Sequence, residues 1–325
     1  MSKNQLLNVK LPIVTTQKYL KQLKIKPDEV LIPSYQTLNK IFQSHLNTYP
    51  YEALDVASRK NPQSLLKIDL VNRLLDRSRG GYCFLLVGAF SSLLSSLGYK
   101  VTLHRGYCSA IKDRLDLTWR EAESASVKQS TNHVVCVVHI DNKKFVVDVG
   151  LGDGPNLPFE LPNSDSIEWQ LVDGRKYKLN KIDNVVWRWY NHSNAVFQGM
   201  DFEIDPIDNT MEAYHTAFLE KHIWYHDAKE TSPFYKPSIF RTSQGGVLLH
   251  LVGTKLRQLI ETKNDTDGDN QLNWIVVQEA KTMEEWIRMI EIYFGLKLNI
   301  DFTTYELKKL WNVAAESINK DKARL

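Results

Sequence analysis

The chain has 325 residues, 43% hydrophobic and 24% charged, with 41 Lys and Arg against 38 Asp and Glu and a formal charge of +3. That length predicts two or three structural units around a continuous core. The dispersed, nearly balanced charge argues against nucleic acid as a partner and against a basic membrane-surface patch. Met1 to Lys10 lacks the pattern of a secretory leader, and the longest apolar run, Phe84 to Tyr99, is broken by four serines, so no membrane span is expected. Three cysteines, at 83, 108 and 136, follow neither a disulfide framework nor zinc-ligand spacing, which predicts a reducing, cytoplasmic setting and no metal.

Residues 1–97 read as helical. Leu38, Ile41, Phe42, His45 and Leu46 mark one amphipathic face behind Ser34, ended by Pro50, with His45 read as a packed core histidine. Ile68, Val71 and Leu75 form a second stripe leading to Gly80 and Gly81, a pair that permits a tight turn. Beyond it Leu86, Ala89, Phe90, Leu93, Leu94 and Leu97 give one buried helical face, which Gly98 closes. Cys83 thereby falls in the first turn of a buried helix, where unpaired N–H groups and the positive end of the macrodipole favour thiolate.

From Tyr99 the pattern changes to period two. Lys100 to Tyr107, Val134 to Ile140 and Lys144 to Val149 read as strands, with further strands around Glu168 to Val172, Lys176 to Leu179 and Val185 to Tyr190. An antiparallel sheet or barrel is expected, and the polar stretch Asp113 to Ser130 reads as a surface loop next to His133. The final third adds strands at Ser238 to Arg241, Gly246 to Val252 and Asn273 to Gln278. Two capped helices follow, begun by Thr282 with Glu285 and by Thr303 with Glu306. Glu261 to Gln271 reads as an exposed loop. Its Asp265, Asp267 and Asp269 lack the spacing and terminal Glu of a calcium loop.

A nucleophilic cysteine needs a base, and the base needs a group that holds its tautomer. His133 opens one strand and Asp148 closes the next. A two-residue turn at Asp141-Asn142 would pair 140 with 143, making His133 the diagonal neighbour of Asp148 on one face, roughly 7–8 Å apart along the backbone. A three-residue turn would put them on opposite faces. Cys136, inside a run of valines, reads as buried and inert, and Cys108 lacks a helix terminus to activate it.

Arg79-Gly80-Gly81-Tyr82-Cys83, then His133 opening a strand, then Val146-Val147-Asp148-Val149-Gly150-Leu151-Gly152, resembles the arylamine N-acetyltransferase family in order and spacing. Pro50-Tyr51-Glu52-Ala53-Leu54-Asp55, Ser232-Pro233-Phe234 and Tyr293-Phe294-Gly295-Leu296 resemble further family segments. The resemblance implies an α+β fold: a helical bundle over 1–97, an antiparallel β-barrel over 98–208 and an α/β lid over 209–325. It implies a papain-like triad of Cys83, His133 and Asp148, supported by an ion pair of Glu52 with Arg79. It further implies acetyl-CoA or another acyl-CoA as co-substrate and ping-pong transfer to an arylamine, arylhydroxylamine or hydrazine. Ser130, Thr131, Gly150, Leu151 and Gly152 would lie where donor and acceptor approach. The chain departs from the family at Leu85 and Val87, where polar residues are usual, at Ala53 in place of Asn, and at Leu151 in place of an aromatic. Leu85, Val87 and Ala53 leave open a relative that keeps the scaffold for binding without catalysing, Leu151 implies an altered acceptor pocket, and a thiol hydrolase or a transferase with another donor such as malonyl-CoA stands as a second enzyme reading.

Overall fold

The computed structural model of the protein describes residues 10–30, 32–77, 79–109, 131–162, 169–172, 174–182, 184–207, 211–228, 230, 232–243, 245–263 and 270–322. The stretch Asp113 to Ser130 and the aspartates 265, 267 and 269 lie outside them. Helices α1 (Ile13–Gln22), α2 (Tyr35–Thr48), α3 (Leu54–Ala57), α4 (Lys67–Arg77) and α5 (Cys83–Ser96) occupy the first third. Ser34 caps α2 by accepting from the Thr37 N–H at 3.2 Å. His45 is fully buried, its Nε2 2.9 Å from the Tyr19 hydroxyl, and burial lowers its pKa to about 3, so it is a neutral core residue.

Helix α5 differs from its expected one-sided burial. Every residue from Cys83 to Ser95 is buried, because α1 and α4 cover one side while the half-barrel covers the other. Gly98, at φ +89, closes it. The first third also contributes a short strand, β1 (Tyr51–Glu52), which the helical reading of 1–97 omitted. Its two residues pair with Phe240 and Ile239, some 190 positions later in the chain, too short and too distant a partnership for local periodicity to show.

The middle sheet is antiparallel throughout, a half-barrel in the order β5-β4-β3-β2-β9-β8-β7-β6. Its strands are β2 (Lys100–Ser109), β3 (His133–Ile140), β4 (Lys143–Val146), β5 (Phe159–Leu161), β6 (Gln170–Val172), β7 (Arg175–Lys181), β8 (Val186–Tyr190) and β9 (Gly199–Glu203). Alternate residues of β3 feed two cores: Val134, Cys136 and Val138 pack with α5, and Val135 and Val137 pack inside the half-barrel with Phe159, Trp189 and Phe202. Strand β4 ends at Val146 rather than continuing to Val149. Beyond it the Val147 N–H still reaches back to the Cys136 carbonyl at 2.9 Å.

The last third holds α6 (Met211–Asp227) and a sheet in the order β1-β10-β11-β12-β13, with β10 (Ser238–Thr242), β11 (Leu248–Val252), β12 (Lys255–Lys263) and β13 (Asn270–Glu279). Helices α7 (Met283–Phe294), α8 (Leu298–Asp301) and α9 (Thr304–Lys322) complete it. The expected loop at Glu261 to Gln271 is corrected at both ends, since Glu261 to Lys263 belong to β12 and Asn270 and Gln271 to β13. A register shift between Leu256 and Arg257 breaks the alternation of β12, which hid it. Trp286, Met289, Ile290 and Leu310 pack against Ile239, Leu251 and Leu256, and also against Leu54 and Ala57 of α3. Among the described residues no helix is long and apolar enough to cross a membrane.

Candidate active site

The site is built on the segment that enters α5. Gly80 and Gly81 are required by close approach rather than by a turn. A Cβ on Gly80 would lie 1.8 Å from the Pro50 carbonyl oxygen, and one on Gly81 would lie 2.6 Å from the Leu85 Cβ. The Gly81 carbonyl accepts from the Glu52 N–H at 3.0 Å, stitching this entry to β1.

A buried charge lattice holds the same segment. Arg79 donates through Nε and Nη2 to one Glu52 oxygen at 3.0 and 2.8 Å, and its Nη2 reaches Asp55 at 3.3 Å. Arg73 reaches Glu52 at 2.9 Å and Asp55 at 2.7 Å, and its Nε donates to the Gly80 carbonyl at 3.0 Å. Burial works against the Asp55 carboxylate, yet Arg73 and Arg79 hold its pKa down to about 2. Glu52 and Arg79 were expected as an ion pair from the sequence, whereas Asp55 was quoted only within its segment and Arg73 was not named. Arg73 sits on α4 seven residues before Gly80, a spacing with no distinguishing pattern.

Cys83 is the first residue of α5 and 2% exposed. Intrahelical bonding starts with the Leu85 and Leu86 N–H groups donating to the Tyr82 carbonyl, so the Cys83 and Phe84 N–H groups stand at the positive end of the helix. The Cys83 Sγ lies 3.6 Å from the Asn132 carbonyl oxygen, the residue before His133.

Asp141 and Asn142, at φ +48 and +64, form the two-residue turn, and Ile140 pairs with Lys143. That register puts the His133 Nε2 2.7 Å from Asp148 Oδ2. The other oxygen, Asp148 Oδ1, accepts from the Gly150 N–H at 2.8 Å, which turns the chain out of β4. Burial opposes the imidazolium, but Cys108, Asp148 and Cys83 around it raise the His133 pKa well above the usual histidine value. Cys108 enters here because Gly106 pairs with His133, so residue 108 lies on the same face as the imidazole and within its hydrogen-bonding reach. Burial raises the Cys108 thiol pKa, with His133 pulling it back. Strand register was the signal that would have found it.

Other expected residues divide. Thr131 is buried beside Asn132, and Ser130 lies outside the described residues. Gly150 packs on the Cys83 backbone, and Gly152, at φ +85, packs on the Phe240 ring of β10. Leu151 turns away, into the half-barrel core with Val135, Phe159 and Trp189. Leu85 and Val87 are buried, Val87 against Gly150 and Leu85 against Gly81. Sequence reasoning missed α6, whose Tyr214, Phe218 and Tyr225 reach the first turn of α5. The Phe218 ring stacks on Phe84 at 4.8 Å, and the Tyr225 hydroxyl donates to the Asn132 carbonyl at 2.9 Å. Tyr214, Phe218, His222 and Tyr225 do lie at helical spacing, but a histidine in the stripe dilutes the apolar signal. Among the described residues, no group of three His, Cys, Asp or Glu is arranged to hold a metal ion.

These elements define an α+β protein in which a group of helices, a curled antiparallel half-barrel and a second antiparallel sheet with helices pack together. Residues 34–303 match the family described as N-acetyltransferase, and the chain belongs to the arylamine N-acetyltransferase family, whose members are transferases. It is 22% identical over 179 residues to a probable arylamine N-acetyltransferase of Dictyostelium discoideum, covering 55% of this chain and 54% of that protein. It is 29% identical over 147 residues to an N-malonyltransferase of Fusarium pseudograminearum, covering 44% and 41%. The chain thus spans about half or less of the length of these curated relatives. The solved arylamine N-acetyltransferase of Salmonella typhimurium shares the fold, with a TM-score of 0.70 at 20% identity over 92% of this chain and 98% of that one. The Mycobacterium marinum enzyme in complex with CoA gives 0.69 at 18% identity over 92% and 99%.

Proposed function

We propose that the protein is an acyl-CoA-dependent N-acyltransferase that carries the acyl group on Cys83. The observation that bears this reading is the 2.7 Å contact of His133 with Asp148, made by the residue next to the carbonyl on which the Cys83 thiol rests. The Nε2–H donates to the carboxylate, which leaves Nδ1 to take the thiol proton. The thiolate attacks the acyl thioester carbonyl, and N–H groups at the start of α5 stabilise the tetrahedral oxyanion. Collapse breaks the bond to the CoA sulfur, which leaves with the proton from His133. An arylamine, arylhydroxylamine or hydrazine nitrogen then attacks the Cys83 thioester and gives its proton to the imidazole, and the thiolate is restored. Arg73, Arg79, Glu52 and Asp55 act by fixing the chain entry to Cys83.

The relationship to an N-malonyltransferase favours a second donor reading, in which malonyl-CoA supplies the acyl group. Intact-mass measurement separates the two. Exposure to acetyl-CoA should add one acetyl group to the protein and none to Cys83→Ala, and the faster of acetyl-CoA and malonyl-CoA identifies the donor. A protein that gains mass from neither donor would overturn the acyltransferase reading.

A further inference from the structure

We infer that Tyr225 of α6 is a positioning residue for the nucleophile: its phenol shares the Asn132 carbonyl with the Cys83 thiol and weakens that oxygen's hold on the S–H proton, easing its transfer to His133. The inference rests on the reading of Cys83 as the acyl acceptor.

The Asn132 carbonyl oxygen receives two donors, the Tyr225 hydroxyl at 2.9 Å and the Cys83 Sγ at 3.6 Å. An acceptor aimed at a thiol stabilises the S–H form and repels the thiolate, so an otherwise unshared carbonyl here would hold the nucleophile neutral. The phenol is the better and shorter donor, and it satisfies that oxygen whether or not Cys83 keeps its proton.

Neither partner is free to move away. The Asn132 N–H donates to the Gly106 carbonyl at 3.1 Å, while its side chain accepts from the Cys108 N–H at 2.7 Å and donates to the Cys108 carbonyl at 3.1 Å. The Tyr225 ring is held by Phe234 at 4.6 Å, by Tyr82 at 5.6 Å and by Phe84 at 6.0 Å, the last two being the residues on either side of Cys83. Among the described residues, the thiol also interacts electrostatically with His133 and Cys108 from the half-barrel and with Tyr51, Tyr82 and Tyr214, and Asp148 bonds His133 from its far side. Burial keeps these tyrosines and Tyr225 protonated, so the phenol remains a donor throughout the working range.

Residue-resolved alkylation of Cys83 by iodoacetamide, followed against pH, tests the assignment alongside steady-state kinetics with acetyl-CoA. Tyr225→Phe keeps the ring and removes only the hydroxyl. Its alkylation midpoint should rise by about one pH unit, with kcat about tenfold lower and KM for acetyl-CoA within about twofold of the parent. Tyr214→Phe serves as the control, because the Tyr214 hydroxyl donates to the Phe84 carbonyl instead, and its midpoint should not move. An unchanged midpoint in Tyr225→Phe overturns the inference, as does an equal rise in both variants, which would report general loosening of α6. Should the parent Cys83 take neither an acetyl nor a malonyl group, the acyltransferase reading fails, and the alkylation midpoints still judge Tyr225.

Discussion

Gly150 and Cys83 touch backbone to backbone: a Cβ on Gly150 would stand 2.6 Å from the Cys83 Cα and 2.9 Å from its Cβ. The loop that carries Asp148 closes on the head of α5 only because residue 150 has no side chain. Gly150 also donates its N–H to Asp148, so one residue sets both the approach and the carboxylate orientation. Gly150→Ala should force the two elements apart, at a cost of about 1–3 kcal/mol in stability. A displacement of about an ångström at a reacting pair is worth roughly a hundredfold in rate. Thermal melting and the rate of Cys83 acetylation measure the two effects. Parent-like acetylation would contradict this account of the loop.

The lattice of Arg73, Arg79, Glu52 and Asp55 has a stability signature in acid. Asp55 falls from an unfolded value of 3.8 to about 2 in the folded chain. A depressed carboxylate contributes stability that is complete above about pH 4 and lost as the pH falls toward 2. The shift corresponds to about 2 kcal/mol. Asp55→Asn should therefore lose stability at neutral pH and show a shallower decline between pH 4 and 2. Removing one cation by Arg79→Leu leaves buried carboxylates under-compensated and should cost about 3–5 kcal/mol. Chemical denaturation across this pH window reads both.

Asp153 carries the opposite sign. It is fully buried, accepts from the Val196 N–H at 2.5 Å and from the Asn191 side chain at 3.2 Å, and burial raises its pKa to about 7. A raised carboxylate contributes stability that is complete below about pH 4 and lost as the pH climbs to 7, by about 4 kcal/mol at most. Melting temperature should thus decline from pH 5 to pH 8, and Asp153→Asn should flatten that decline. A variant with the parent's slope would show that another group titrates there.

What the residues disclosed in advance follows from how local each signal was. Cys83 at a helix start, His133 at a strand start and the Asp141-Asn142 turn are all set within a few neighbours, and they were legible together with the capped helices α7 and α9. Thr282 accepts from the Glu285 N–H at 3.2 Å and Thr303 from the Glu306 N–H at 3.3 Å, each a short-range arrangement. The partnership of Tyr51 with Phe240 and of Arg73 with Asp55 depends on chain folding across long separations, and nothing in either neighbourhood announces it. Helix α6 went unread for a different reason. Its buried face includes His222, whose Nδ1 bonds Tyr82, and His226, whose Nδ1 bonds the Lys60 carbonyl at 2.7 Å, so polar residues occupy positions that periodicity expects to be apolar. Gly80 and Gly81 were noticed for conformational freedom, when the folded chain needs them for lack of bulk.

His133 faces two different kinds of partner, and their removal should have unequal effects. Asp148 bonds Nε2 directly and is itself fixed by the Gly150 N–H, so under the proposed mechanism it would set the tautomer and stabilise the imidazolium formed when Cys83 gives up its proton. Cys108 reaches the imidazole from the same sheet face through a thiol hydrogen bond, and burial favours its neutral form, so it lends the imidazolium far less than a carboxylate does. Asp148→Asn should lower the acetylation rate of Cys83 by about 10²–10⁴-fold. Cys108→Ala should lower it by less than about tenfold, with the adduct still confined to Cys83. Rapid-quench mass spectrometry with peptide mapping gives rate and location in one experiment. A Cys108→Ala protein as slow as Asp148→Asn, or an acetyl group found on Cys108 in the parent, would make residue 108 a direct participant and displace the arrangement argued for Cys83.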